Sequence, residues 1–140
     1  MSKAIKVVLL LSYLALLISA SLWPTPVDGG GFIWYLTSEV LKFAQQISWL
    51  NWLKYNQLEA LANMLLYVPL GIFLLLFIRK APFWLLLISP AVFSFIAEGI
   101  QRFFLPARYS TLDDVINNSI GGALGVLIAA GIRRWRRSRP

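Results

Sequence analysis

Residues 112–132 read LDDVINNSIGGALGVLIAAGI, and this stretch decides the class of fold. Its length suits a helix that crosses a bilayer, which needs roughly 20 predominantly apolar residues. Polar residues at its beginning and small residues further on form one stripe, because they recur at steps of three or four: Asp114, Asn118, Gly121, Gly125 and Ala129. Small residues at this spacing let membrane helices approach closely. We therefore predict a transmembrane helix that packs tightly and presents a carboxylate and an amide to its neighbours.

Three other windows satisfy the same length criterion, at residues 4–23, 58–78 and 81–105. The composition agrees, since 59% of the residues are hydrophobic against roughly 45–50% in ordinary domains. A domain of 140 residues cannot bury that much apolar surface in water. The sequence therefore predicts one domain over residues 1–140, an all-α integral membrane protein with four transmembrane helices.

The first window has two open interpretations. Lys3 and Lys6 precede an apolar run that ends in Ser19-Ala20-Ser21, which resembles a signal-peptide cleavage site. The run is long for a signal peptide, and Trp23 suits an interfacial anchor. We take residues 4–23 as a retained transmembrane helix.

The charges sort by side of the membrane. With four spans, nine of the 13 Lys and Arg residues fall on one side, including the basic tail at residues 133–140. Cytoplasmic loops carry such an excess, which predicts that both termini lie in the cytoplasm. The net charge of +7 thus indicates orientation, and no nucleic-acid partner is predicted. All carboxylates fall on the outer side: Asp28, Glu39, Glu59, Glu98, Asp113 and Asp114.

Within the outer loop at residues 24–57, between the first two spans, we predict an amphipathic helix that lies in the membrane interface. Pro24, Pro26 and a Gly-Gly-Gly run at 29–31 break the chain before it. Apolar residues then recur at helical spacing opposite polar ones, in a segment rich in aromatic residues. The helix either anchors the fold as an aromatic belt or covers a lipid-facing site.

Polar residues of the apolar helices cluster at the outer ends of their segments. Intramembrane polar groups are costly, so each needs a partner or a function. One interpretation is a hydrogen-bonded network that holds the bundle together, and the other is a polar pocket open to the outer leaflet. The candidate ligand-binding residues are Asn63, Glu98, Gln101, Arg108, Asp114 and Asn118. Candidates for helix packing are Pro69, Gly71, Gly121 and Gly125.

Three motifs in this order resemble the VanZ-like membrane family. Residues 63–71, with Asn63 and Tyr67-Val68-Pro69-Leu70-Gly71, resemble its "N…F-x-P-x-G" signature. Glu98 and Gln101 are similar to its "E-x-x-Q" pair. The set Arg108, Asp114, Asn118 and Gly121 is similar to its arginine, aspartate, asparagine and glycine motif. The resemblance covers roughly residues 58–130 and implies a protein of the bacterial cell envelope, since the family is named after a protein linked to teicoplanin resistance.

The chain departs from that pattern at two places. Thr111 stands where many members carry an acidic residue, and Asp113 lies two positions further on. Many members also have a histidine after the first helix, and this chain has no histidine. Chemistry that needs the histidine is therefore excluded here, as are zinc sites of histidine and cysteine, because the chain lacks both.

Three hypotheses follow for function. The first is a binding or accessory protein whose pocket recognises an amphiphile, either a lipid-linked cell-wall precursor or a lipoglycopeptide, among membrane lipids. The second is an intramembrane enzyme acting on lipid phosphates, with Glu98 and Asp114 as catalytic candidates. The third is a structural bundle or homo-oligomer that uses Gly121 and Gly125 as its contact face. We favour the first, and we predict no cofactor and no resident metal.

Overall fold

The computed structural model describes residues 3–21, 32–78, 80–104 and 111–139, and all regular structure in these ranges is helical. The predicted all-α class is therefore confirmed. A short 3-10 turn at Ser48–Leu50 separates the second helix from the third. The helices are α1 (Lys3–Ser21), α2 (Phe32–Gln45), α3 (Tyr55–Phe77), α4 (Phe83–Phe104) and α5 (Leu112–Arg137).

Three of these helices, α3, α4 and α5, are long and apolar enough to cross a membrane. In α1 the apolar part, Val7–Ser21, is shorter. The whole of α1 has 19 residues, and such a helix extends roughly 28 Å. That length is close to the hydrocarbon thickness of about 30 Å. The membrane class of the protein is thus supported, while the fourth span stays a prediction.

The helix boundaries differ from the predicted windows mainly at the ends. Helix α3 begins at Tyr55, before the predicted start at residue 58. Helix α5 continues to Arg137, so that the first part of the predicted basic tail is helical. Arginines near the last turn stabilise a helix because they face the negative end of its dipole.

Helices α3 and α5 form the most extensive contact of the bundle, and glycines make it possible. Gly121 lies directly against the backbone of Met64, and Gly125 lies against the backbone of Val68. Gly71 of α3 meets Gly122 of α5 in the same way. A Cβ atom at Gly71, Gly121 or Gly125 would overlap backbone atoms of the facing helix. The two backbones therefore touch with no side chain between them.

Helix α4 packs on the same small-residue surface of α5. The ring of Pro90 occupies the space beside Gly122, where a Cβ atom would overlap it. Towards the end of the bundle that carries the α3–α4 connection, an apolar core joins the three helices through Leu75, Leu86, Val126 and Ala129. Helix α5 thus lies between α3 and α4 and organises the bundle.

Helix α1 packs against α3. Leu17 forms a buried cluster with Tyr67 and Leu70. The hydroxyl of Tyr13 also donates a hydrogen bond of 2.7 Å to the carbonyl oxygen of Leu66. Together these contacts place the second half of α1 beside the middle of α3.

Helix α2 keeps the amphipathic pattern, but its principal described contact is with the 3-10 turn that follows it. Leu36, Val40 and Phe43 leave their apolar surfaces exposed. On the polar side, the Lys42 ammonium lies 2.8 Å from the Glu39 carboxylate, and this hydrogen bond raises the pKa of Lys42. The apolar face of α2 is therefore available to an apolar environment outside the chain.

The outer surface of the bundle is also apolar. Leu65, Phe95 and Phe103 are 69%, 66% and 82% exposed, and many other large apolar side chains resemble them. Soluble monomers rarely expose contiguous apolar surface of this extent. A lipid environment explains this surface, since lipid replaces the protein partner that the side chains lack.

Candidate functional site

A cavity of about 530 Å³ opens at one end of the bundle. It lies at the end of α1, the beginning of α3, the end of α4 and the beginning of α5. This end is opposite the α3–α4 connection, where Lys80 lies, and opposite the arginines at the end of α5. The cavity brings together the predicted residues Asn63, Glu98, Gln101, Asp114 and Asn118. Their role in ligand binding stays a prediction, but they do share one site.

Asp114 connects α5 to α3 across this cavity. Its Oδ1 accepts a hydrogen bond of 2.9 Å from the amide of Asn63. Its Oδ2 accepts a second, of 2.7 Å, from the hydroxyl of Thr111. Charge-assisted hydrogen bonds of this kind are stronger than neutral ones. The carboxylate of Asp114 is thus held in one orientation at the cavity wall.

Thr111 begins α5 and shows why the sequence folds this way locally. Its hydroxyl accepts a hydrogen bond of 3.2 Å from the backbone N–H of Asp114, as an N-cap residue does. Asp113 and Asp114 lie in the first turn, where the helix dipole favours negative charge. Capping therefore brings two carboxylates to the cavity, one exposed at Asp113 and one half-buried at Asp114.

Asn118 lies one turn deeper and is buried. Its amide donates a hydrogen bond of 2.9 Å to the hydroxyl of Ser94 in α4. Its Oδ1 atom has no hydrogen-bond partner among the described residues. An unpaired buried acceptor costs free energy, so a ligand that supplied a donor would be stabilised there.

Tyr67 supplies a second such group at the bottom of the cavity. The residue is 1% exposed, and its hydroxyl has Ser21, Ser94 and Glu98 as polar neighbours. None of the described neighbours reaches standard hydrogen-bond geometry with that hydroxyl. A phenolic hydroxyl both donates and accepts, so it can adapt to either kind of ligand group.

The end of α4 contributes Glu98 and Gln101, which are both buried. The amide of Gln101 donates a hydrogen bond of 2.5 Å to the carbonyl oxygen of Ser21 at the end of α1. This bond satisfies a carbonyl that the helix leaves without an intrahelical partner. Gln101 therefore joins α1 to the bundle at the cavity, while Glu98 contributes a carboxyl group to its wall.

The sequence reasoning placed one arginine, Arg108, at this site, and Arg102 lies near it on the predicted outer side. Arg102 is exposed, and it is not among the residues that line the cavity. Arg108 lies outside the described residues, so its role in ligand binding stays a prediction. The described partners of Asp114 are Asn63 and Thr111. Over the described part of the lining, the charged groups are all carboxylates.

The packing candidates lie below the cavity. Gly71, Gly121 and Gly125 are buried where α3 and α5 meet. Pro69 lies in the same part of α3, half-buried, and the helix continues through it. The glycine face proposed for self-association is thus occupied by α3 of the same chain, and a homo-oligomer remains a prediction.

Sequence reasoning missed Tyr67, Ser94 and Pro90 as buried residues. A signal existed for Ser94, because it lies four residues before Glu98 and therefore on the same face of α4. Pro90 lies four residues earlier on that face. Tyr67 was noted only as part of a motif, although a tyrosine in an apolar helix also brings a hydroxyl that needs a partner.

Carboxyl groups from several helices line the cavity, and carboxylate oxygens are common ligands of divalent cations. Across residues 3–21, 32–78, 80–104 and 111–139, no three side chains of the types His, Cys, Asp or Glu lie close enough together to hold a metal ion. The catalytic roles of Glu98 and Asp114 stay a prediction.

These features define the class of protein: an α-helical membrane protein with a polar cavity at one end of a glycine-packed bundle. The family follows from comparison with known proteins, because the family model described as VanZ/LLP1 matches residues 7–133. The chain belongs to this family, as its motifs indicated. No curated protein and no solved structure matches it.

Proposed function

We propose that this chain is a four-span protein of the bacterial plasma membrane that binds an amphiphile at an outer-leaflet pocket. The ligand is a lipid-linked cell-wall precursor or the acylated part of a lipoglycopeptide, and binding contributes to resistance to teicoplanin. One observation carries the proposal. The cavity of about 530 Å³ combines a polar lining with an apolar outer surface on the same helices.

The charge distribution supports the proposed orientation. Lys80 and the arginines of α5 lie at the end of the bundle opposite the cavity. Cytoplasmic positions are enriched in Lys and Arg. With these residues in the cytoplasm, the cavity opens towards the cell envelope, where cell-wall precursors and glycopeptides occur.

The surroundings of the cavity favour an amphiphile over a fully polar ligand. Polar groups such as Asn63 on α3 and Glu98 on α4 line the cavity, while Leu65 and Phe95 on the same two helices are exposed. A ligand can therefore place its headgroup in the cavity and its chain along the apolar exterior. The exposed apolar face of α2 would add to that surface if α2 lies in the membrane interface.

Resistance of whole cells tests this proposal. Expression of the chain in a susceptible bacterium should raise the teicoplanin concentration that inhibits growth. The variants Asp114→Asn and Glu98→Gln should return growth inhibition to the level of cells without the protein, since they change two groups of the cavity. The matched control is Glu39→Gln, because Glu39 is exposed on α2 and outside the cavity lining.

Two further measurements complete the test. Each variant should be present in the membrane fraction at the level of the unchanged chain. If both cavity variants are lost from that fraction, the polar groups hold the bundle together and the structural interpretation is correct. Binding of teicoplanin and of lipid II to the chain in lipid nanodiscs should also be measured. If neither compound binds, the proposal is contradicted.

A further inference from the structure

We propose that the cavity receives a protonated amine of its ligand, and not the phosphate. This inference rests on the proposed function, because it names the chemical class of headgroup that the same cavity selects. Three observations carry it: the charges of the lining, the unpaired acceptor of Asn118, and the position of the remaining cations.

The described lining carries four carboxyl groups and no ammonium or guanidinium group; the four are Glu59, Glu98, Asp113 and Asp114. They come from three different helices, so the concentration of negative charge belongs to the cavity and not to one local segment. Opposite charges attract more strongly at such a partly buried site than in water, and like charges repel more strongly. A phosphate would meet repulsion from several directions, whereas an ammonium would meet attraction.

Hydrogen-bonding capacity points the same way. The Oδ1 atom of Asn118 is a buried acceptor without a partner among residues 3–21, 32–78, 80–104 and 111–139. Asn118 is 5% exposed and lines the cavity. An ammonium carries three donors and no acceptor, so it can pair with this oxygen and with neighbouring carboxylates together. A phosphate offers mainly acceptors and would leave the Oδ1 atom unpaired.

The remaining cations of the predicted outer side cannot reverse this balance. Lys42 is bound to Glu39 on α2, and Arg102 is exposed and outside the lining. Lys54 is exposed as well, at the start of α3. Arg108 is the remaining cation on the predicted outer side of the membrane. One guanidinium can neutralise the charge of one of the four carboxylates.

A cysteine-protection experiment on the full chain in lipid nanodiscs tests the inference. The chain has no cysteine, so Asn56→Cys introduces one thiol at an exposed residue of the cavity lining. Its reaction with a neutral maleimide is measured while dodecylamine, dodecyl phosphate or dodecyl maltoside is added at mole fractions that leave the bilayer intact. The three probes share one alkyl chain and differ only in the headgroup. Ser48→Cys, exposed and outside the lining, reports non-specific effects at the membrane surface.

Dodecylamine should protect Asn56→Cys at a concentration about tenfold or more below that of dodecyl phosphate, because like charges at close range are costly. Asp114→Asn or Glu98→Gln in the same background should weaken that protection about tenfold, since hydrogen bonds to charged groups are strong. Glu39→Gln should leave the protection unchanged.

The outcomes separate the two levels of the proposal. Equal or better protection by dodecyl phosphate or dodecyl maltoside overturns the assignment of an amine but leaves an amphiphile pocket. Protection by none of the three probes overturns both the amine and the pocket. Equal protection of Ser48→Cys would show that the effect comes from the membrane surface, and it would overturn the assignment too.

Discussion

Gly121 and Gly125 allow α5 to contact α3 closely because they have no side chain. Each lies directly against backbone atoms of α3, so the helices meet at the distance of backbone contact. Within a membrane, helices associate by van der Waals packing, which close approach of backbones increases. The packing of the bundle below the cavity therefore depends on individual residues that have no Cβ atom.

Replacement of Gly121 by alanine should destabilise the protein. The added methyl group overlaps the backbone of Met64, which cannot move like a flexible side chain. Overpacking of this kind typically costs about 1–3 kcal/mol of the free energy of unfolding. Denaturation in bicelles, followed by the loss of helix or of tryptophan fluorescence, measures the change.

Gly131→Ala provides the matched control within the same helix. Apart from the neighbouring residues and backbone of its own helix, no atom of the described residues lies within 4 Å of a Cβ atom at Gly131. Alanine favours the helix more than glycine does, so this variant should be neutral or slightly more stable. Equal destabilisation by the two substitutions would contradict the proposed contact between α3 and α5.

Asp114 and Asn118 show which features of single residues the sequence could and could not predict. The placement of Asp114 and Asn118 on the face of the glycines followed from their spacing along α5. Their partners did not follow, because Asn63 and Ser94 come from other helices. Which polar groups meet across a cavity depends on rotation and depth of neighbouring helices, and a sequence pattern contains neither.

Among the elements, α2 differs most from the rest. It exposes apolar side chains and has its principal described contact with the neighbouring 3-10 turn. An amphipathic helix of this kind gains free energy when its apolar face enters the boundary between headgroups and acyl chains. The exposed face supports the predicted interfacial position of α2, which stays a prediction.

Spin labels on two adjacent residues of α2 test that position. Phe43 lies on the apolar face and Lys42 on the polar face. A nitroxide at Phe43→Cys should be relaxed mainly by oxygen, which dissolves in lipid, and one at Lys42→Cys mainly by a water-soluble nickel complex. The two labels serve as controls for each other, because they are on adjacent residues of the same helix and differ only in the face that carries them. Similar accessibility to both reagents would be incompatible with an interfacial helix.

Helix α4 shows the limit of sequence reasoning for an element. Most of its residues are apolar on every face, so the spacing of apolar residues does not single out the face that packs. The structure buries Pro90, Ser94, Ala97, Glu98 and Gln101 on one face. Only the polar members of that face could be identified beforehand, since a buried apolar side chain and a lipid-facing one look alike in sequence.

At the scale of the whole molecule, the bundle has one end with a cavity and carboxyl groups and an opposite end with cations. This asymmetry is the physical basis of the predicted orientation, in which the cations stay in the cytoplasm. The same asymmetry gives the cavity its negative charge, because the carboxyl groups that do not determine orientation are concentrated there.

Labelling of single cysteines with a membrane-impermeant maleimide tests the orientation directly. Ser48→Cys, near the cavity end, should react in cells whose membrane is intact. Ser138→Cys, after α5, should react only once the membrane is permeabilised. Both serines are exposed, so the difference reports the side of the membrane and not burial. The reverse pattern would overturn the orientation and, with it, the location of the pocket.

The sequence by itself determined the membrane class, the helical content, the family and the stripe of α5, because apolar length and helical spacing are local properties. The tertiary structure alone decided that Asn63 meets Asp114, that Ser94 meets Asn118, and that the glycines of α5 face α3. It also decided that carboxyl groups from three helices share one cavity. These are long-range contacts, and their partners are chosen by how helices pack against each other, which no single segment encodes.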